Sequence, residues 1–173
     1  MLFLGLFALL VFTYGCIQII NNMFKQEGYV LHIYCTNYDL KSMYLDKKNY
    51  NDDAGFDLYL PTDIEINHTL VVDLNIKCMM TFNKSPCAFY LYPRSSICKT
   101  PLLLHNSTGI IDKNYRGALK VAFLNTHHDP IRVIQGARLV QICAPGLSNF
   151  KIKHVESLPN TIRGSNGFGS TGK

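Results

Sequence analysis

No two of the six cysteines, Cys16, Cys35, Cys78, Cys87, Cys98 and Cys143, form a C-x-x-C pair, and no H-E-x-x-H occurs. A zinc site needs closely spaced ligands, and a disulfide-stapled domain needs a denser cysteine framework, so both are excluded as organising principles. The thiols are expected to be reduced and mostly buried. Charge is also sparse, at 17% of 173 residues, and no long run of Lys and Arg accompanies the net charge of +5. The charge suits a small anionic partner, and no nucleic-acid track is expected. Windows of helical periodicity are lacking beyond the first residues.

The one long apolar run is Met1 to Met23, which carries no charged residue. About 20 apolar residues can cross a bilayer as a helix, so residues 1–23 are a candidate membrane anchor, with an incidental extension as the alternative. No basic n-region precedes the run and no A-x-A site follows it, which argues against a secretory signal. Tyr29–Tyr34 then reads as a strand, followed by a polar linker to Asp53. Strand signals recur at Phe56–Leu60, Leu70–Ile76, Ala88–Leu91, Ala118–Leu124, Ile131–Ile134, Leu139–Ala144 and Phe150–Val155, separated by Gly, Pro, Asn and Asp. Many short strands with turns between them predict an all-β barrel or sandwich. The domain is expected over residues 24–157, and residues 158–173, rich in Gly, Ser, Asn and Thr, read as a flexible arm.

Five polar clusters stand at the ends of these strands: Asp53–Leu58, Pro93–Ser96, Gly109–Gly117, Gly136–Gln141 and Arg163–Gly172. Together they suit a polyphosphate. Arg94 and Arg163 offer planar forks of donors. Ser95, Ser170, Thr171 and glycine-flanked amides can wrap an anion. Asp57 can hold a hydrated Mg²⁺, which keeps several waters and binds through few carboxylates plus phosphates. Phe168, between glycines, is either a lid over a flat base or an apolar plug. The stretch Asn106–Val121 is central: Asp112 and Tyr115 lie between Gly109 and Gly117, as a plain hairpin tip or as a catalytic acid in a tight turn.

In this order A-G-x-D-L, P-R-S-S, G-x-I-D-x-x-Y-R-G, G-x-R-L-x-Q and R-G-S-x-G-F-G-S-T-G resemble the five motifs of the trimeric deoxyuridine triphosphate nucleotidohydrolases, from Asp53 to Gly172. The resemblance implies a distorted jelly-roll-like β-barrel with a C-terminal arm. It implies hydrolysis of dUTP to dUMP and pyrophosphate with Mg²⁺ by a homotrimer, its sites at subunit interfaces and its arm crossing to another subunit. Asp112 matches the general base that activates water. Tyr115 matches the residue under the deoxyribose that excludes a 2′-hydroxyl. Asn106, with Gly109 and the hairpin backbone, matches the uracil pocket. Asp57 matches the group that reaches the metal through water. Arg94, Ser95, Ser96 and Gln141 match contacts to the phosphates. Arg163, Gly169, Ser170 and Thr171 match the γ-phosphate clamp, and Phe168 the aromatic over uracil.

Arg116 is expected in a structural role, paired with a nearby carboxylate, and Lys99 is assigned none. Ala137 stands where many members carry Asp. Related dCTP deaminases place a catalytic Glu at the position of Ala122, which disfavours deamination. A non-catalytic, membrane-tethered protein on the same fold is the other alternative. Gly167–Lys173 formally fits G-x-x-x-x-G-K but lacks the following Ser or Thr and helix of a P-loop. Three Asn-x-Ser/Thr sequons occur, one at Asn106 inside the expected site, where a glycan would block it. The domain is therefore expected on the cytosolic side, soluble or tethered, with the nucleus also open to it.

Overall fold

The structure, a computed structural model, describes Tyr14, residues 28–45 and residues 53–167. The candidate anchor of residues 1–23, Cys16 and the arm residues Phe168, Gly169, Ser170 and Thr171 therefore fall outside the described residues, apart from Tyr14. Among the described residues no helix is long and apolar enough to cross a membrane.

The described chain is mostly β, with one short helix. In order the elements are β1 (Tyr29–Cys35), α1 (Tyr38–Leu45), β2 (Gly55–Leu58), β3 (Ile64–Ile66), β4 (Thr69–Phe82), β5 (Ser85–Cys87), β6 (Phe89–Pro93), β7 (Leu102–Leu104), β8 (Gly109–Ile111), β9 (Ala118–Asn125), β10 (Ile131–Val133), β11 (Val140–Cys143) and β12 (Phe150–His154). Two 3-10 turns, Ser95–Lys99 and Pro145–Leu147, interrupt the strands. A larger sheet runs β12-β1-β4-β9-β7 with β5 beside β4, a second runs β2-β11-β6-β8, and β10 pairs with β3.

Alternation explains which face each long strand buries. Successive strand residues point to opposite faces, so a period of two in the apolar residues fixes the core side. On β4 this puts Val72, Leu74, Ile76, Cys78 and Met80 inside, and on β9 Leu119, Val121 and Phe123. They meet Phe56, Leu58, Phe89, Leu91, Val140 and Ile142 from the second sheet. A β-bulge breaks the β4–β9 register between Asp73 and Lys77. There Asn75 takes φ +55°, and its N–H donates to Asp73 Oδ1 at 2.8 Å. Asn tolerates this left-handed conformation better than most residues. Asn125, 2% exposed, is fully employed: its amide donates to the carbonyls of Ile66, Asn67 and Asp129, and its Oδ1 accepts from His127 N.

The polar linker after β1 holds an element that strand signals did not reveal. Asn37 Oδ1 accepts from the N–H groups of Asp39 and Leu40 and so caps α1. Leu40 and Tyr44, one turn apart, are buried. Tyr44 lies 5.6 Å from the Phe56 ring and accepts a hydrogen bond from Tyr59 N at 3.0 Å. The edge strand β12 pairs in parallel with β1 and turns Lys151 and Lys153 outward, charges that guard a sheet edge against further pairing.

The expectation of mostly buried thiols holds only in part. All five described cysteines are free, but only Cys78 and Cys143 are buried, while Cys98 is exposed. Burial pushes the Cys35 thiol up to about 11.

Candidate active site

The sequence-derived site residues fall into two clusters within one chain. The first is built where β2, β6 and β11 lie side by side. Asp57 on β2 is the register partner of Gln141 on β11, which in turn faces Tyr92 on β6. Arg94, just after β6, places Nε 2.6 Å from Asp57 Oδ1, and Arg138 places Nη1 3.2 Å from Asp57 Oδ2. Arg94 Nη1 also donates to the Arg138 carbonyl at 2.8 Å, and Ser96 Oγ donates to the same oxygen at 3.3 Å. Ser95 opens the 3-10 turn beside them and is exposed. Gln141 Nε2 donates to the Pro93 carbonyl, so its amide also ties β11 to β6. Its Oε1 sits where a side chain at residue 55 would lie, 2.0 Å from an ideal Cβ, which accounts for Gly55.

The second cluster surrounds a cleft of about 200 Å³ lined by Asn106, Gly109, Asp112, Tyr115, Lys120 and Arg163, among others. The β6–β8 ladder carries it. Gly109 faces Leu91 so closely that an added Cβ would lie 3.1 Å from Leu91 Cβ. Asp112 follows β8, and a tight turn takes the Tyr115 N–H to the Asp112 carbonyl at 3.0 Å. The Tyr115 hydroxyl then donates to the Ala118 carbonyl at 2.8 Å, folding the ring back over Gly117. An added Cβ at residue 117 would lie 2.4 Å from that hydroxyl, so any larger residue must displace the Tyr115 ring. Burial, then the negative charge of Asp73, pushes the Tyr115 phenol above its ordinary value, so the hydroxyl stays a donor. Asp112 is half-exposed and pairs with Arg163 Nη1 at 2.5 Å.

Arg116 is structural, as expected, but its partners are main-chain carbonyls and not a carboxylate. Only 9% exposed, it donates from Nη1 to the Lys113 and Tyr115 carbonyls and from Nε to the Pro159 carbonyl at 3.1 Å. Burial lowers its pKa from the ordinary arginine value. Two site residues had been given no role from sequence. Arg138 was visible in the fourth motif, whereas Lys120 carried no signal, because in a strand only the register, here opposite Asp73, decides what it faces.

The described part of the arm lies on its own chain. Thr161 Oγ1 donates to the Asn114 carbonyl at 2.5 Å, and Arg116 N donates to the Gly164 carbonyl at 2.7 Å. Gly167 approaches the Tyr115 ring, where an added Cβ would stand 3.0 Å from Cε2. Among the described residues no group of three or more His, Cys, Asp or Glu converges as a metal cage.

A family model described as dUTPase matches residues 41–172. The deoxyuridine 5′-triphosphate nucleotidohydrolase of Corynebacterium glutamicum is 33% identical over 137 residues, covering 77% of this chain and 90% of the relative. That of Crocosphaera subtropica is 32% identical over 131 residues, 74% of this chain and 90% of the relative. Among solved structures, native EIAV dUTPase is 28% identical with a TM-score of 0.50, covering 65% of this chain and 85% of its own. A mutant dUTPase of Staphylococcus bacteriophage 80alpha, solved with dUpNHpp, has a TM-score of 0.55 over 83% of this chain and 98% of its own, and at 20% identity shares the fold. Matched over most of its length by the family model and by relatives above 30% identity, the chain belongs to the dUTPase family.

Proposed function

We propose that the protein hydrolyses dUTP to dUMP and pyrophosphate, which keeps uracil out of DNA and supplies dUMP for dTMP synthesis. The observation that carries this reading is the Asp112 carboxylate in a cleft shared with Tyr115 and Asn106. In the proposed reaction Asp112 takes a proton from water as the water oxygen bonds to the α-phosphorus. The bond from that phosphorus to the α–β bridging oxygen breaks, and pyrophosphate leaves with the electron pair. Positioning and charge stabilisation supply most of the rate in such displacements. Asn106 and the backbone around Gly109 receive uracil, and the Tyr115 ring, fixed by its bond to Ala118, sits under the deoxyribose. Arg94, Ser95, Ser96 and Gln141 face the phosphate chain. Arg163, with Phe168, Gly169, Ser170 and Thr171, closes over the substrate.

Asp57 is a lone carboxylate already facing two guanidinium groups, which does not suit a resident all-protein cation cage. It fits Mg²⁺ that arrives on the triphosphate and is held through its own waters. When bound, the ion neutralises charge on the phosphate oxygens.

The two clusters each hold half of what a nucleotide needs, and this supports assembly as a homotrimer whose sites form between copies, on the jelly-roll-like barrel of the family. The proposed division is an apolar segment at 1–23, a catalytic domain at 24–157 and an arm at 158–173. Asn106 is exposed within an Asn-Ser-Thr sequon, so a working site belongs on the cytosolic side. Ala122 is 6% exposed on β9 and brings no acid for deamination.

Turnover of dUTP, dCTP and UTP with Mg²⁺, read as pyrophosphate release, tests the reading. Selective release from dUTP is expected, and no release from it would overturn the proposal.

A further inference from the structure

Arg94, the cation proposed to face the phosphate chain, is already engaged. Its Nε stands 2.6 Å from Asp57 Oδ1, and its Nη1 donates to the Arg138 carbonyl at 2.8 Å and to Ser96 Oγ at 3.4 Å. A guanidinium fork grips phosphate through paired N–H groups, and here Nε and Nη1 both point elsewhere. To turn toward phosphate, Arg94 must let go of Asp57, whose side chain is only 15% exposed. A carboxylate so shielded is costly to leave without a countercharge. Arg138 supplies one, with Nη1 3.2 Å from Asp57 Oδ2.

Arg138 is fixed from both sides. The Ala137 carbonyl before it accepts from Leu60 N at 2.9 Å, and the Leu139 carbonyl after it accepts from Arg94 N at 2.9 Å. Its backbone is thus pinned between the continuations of β2 and β6. Its guanidinium carbon lies 5.8 Å from the centroid of the Tyr59 ring, within cation–π range. That ring packs edge-on against the buried Tyr44 at 5.1 Å, so the platform under the cation is itself anchored in the core. The Arg138 carbonyl meanwhile accepts from both Arg94 and Ser96 and keeps them at hand.

We propose that Arg138 is a positioning residue of the phosphate half-site: it stays with Asp57 as a standing counter-ion and so releases Arg94 to the phosphate chain. The proposal rests on the dUTP reading above and gives a role to a residue that reading leaves unused. Arg138 itself acts through Asp57 and Arg94.

A double-mutant cycle without metal tests it. Binding of the imido analogue dUpNHpp is titrated by calorimetry in EDTA for wild type, Asp57→Asn, Arg138→Gln and the double variant, each checked by light scattering and melting. With Arg138 in place, Asp57 holds Arg94 weakly and Asp57→Asn changes affinity modestly. Once Arg138 is lost, Asp57 retains Arg94. Asp57→Asn should then raise affinity by about tenfold more in the Arg138→Gln background than in wild type, a coupling usual within one ion-pair network. Equal gains in both backgrounds would reduce Arg138 to one more positive charge and overturn the proposal. Arg138→Met keeps the apolar stem over Tyr59 and guards against failure of Arg138→Gln to fold. It is expected to give the same coupling, and equal gains there would also overturn the proposal. Inorganic tripolyphosphate, which needs no uracil pocket, is titrated in parallel. Should wild-type chains release no pyrophosphate from dUTP, the proposed activity falls while the tripolyphosphate cycle still decides the role of Arg138. Failure of wild type to bind tripolyphosphate would overturn that role as well.

Discussion

Arg94 Nε stands 2.6 Å from Asp57 Oδ1, and both side chains are mostly shielded from solvent. Removing one member of such a pair leaves the other charge poorly compensated. Asp57→Asn is expected to cost about 1–3 kcal/mol in urea unfolding, because Arg94 and Arg138 both lose their carboxylate. On the proposed function it also weakens the dependence of turnover on Mg²⁺, read by titrating the metal at fixed dUTP. Unchanged stability would show that the pair contributes little to the fold.

Asp112→Asn keeps the shape of the side chain and removes its capacity to take a proton. Turnover of dUTP should fall by about 10²–10⁴, the usual contribution of a general base, while equilibrium binding of dUTP persists. The same variant breaks the ion pair with Arg163. A rate within a few-fold of wild type would remove Asp112 from the base role.

Gly117→Ala tests the seat of the Tyr115 ring. The added methyl would lie 2.4 Å from the Tyr115 hydroxyl, so the ring must move. Misplacement of a positioning group by an ångström can cost about 10²-fold in rate. Tyr115→Phe keeps the ring but loses the bond to Ala118, with an expected stability loss of about 0.5–1.5 kcal/mol. Comparing the two in kcat/KM for dUTP and UTP separates ring position from the hydroxyl.

Acid stability offers a fourth test. The Gln135 N–H and then Arg132 hold the Asp63 carboxyl below its ordinary value. A carboxylate lowered in the folded state stabilises the fold above its unfolded pKa, and that contribution disappears as pH falls through the folded value. Asp63→Asn should therefore lower Tm at pH 7, and the two melting curves should converge in acid, at pH below the ordinary Asp value of about 3.9. A constant difference across pH would point to shape instead of charge.

Much of this architecture is legible in the residues themselves. Strands with clear alternation or strong apolar character, such as β1, β9 and β11, are found at nearly the expected bounds. The three-residue strands β3, β5, β7 and β8 were not anticipated, because so few residues rarely carry enough periodicity to rise above a turn, and only β10, inside an apolar run, did so. Helix α1 escaped for a different reason: its capping Asn37 and paired Leu40 and Tyr44 lie in a segment whose charge and turn residues read as linker. At the site the five motifs named most lining residues. Lys120 entered the cleft through strand register, and the Pro159 carbonyl that accepts from Arg116 Nε lies 43 residues later in the chain. Neither relationship leaves a local trace in sequence.

The first described strand also settles how the preceding residues meet the domain. Tyr29 pairs with Phe82 at one end of β4, and Gly28 N donates to Asn83 Oδ1 in the turn beyond. Asp73, which faces Lys120 of the cleft, lies nine positions back along the same strand. At about 3.3 Å per residue the backbone enters the domain some 25–30 Å along β4 from the Asp73–Lys120 pair. The chain thus enters the domain at one end of β4, and Asp73, opposite Lys120 of the cleft, lies in the other half of the same strand.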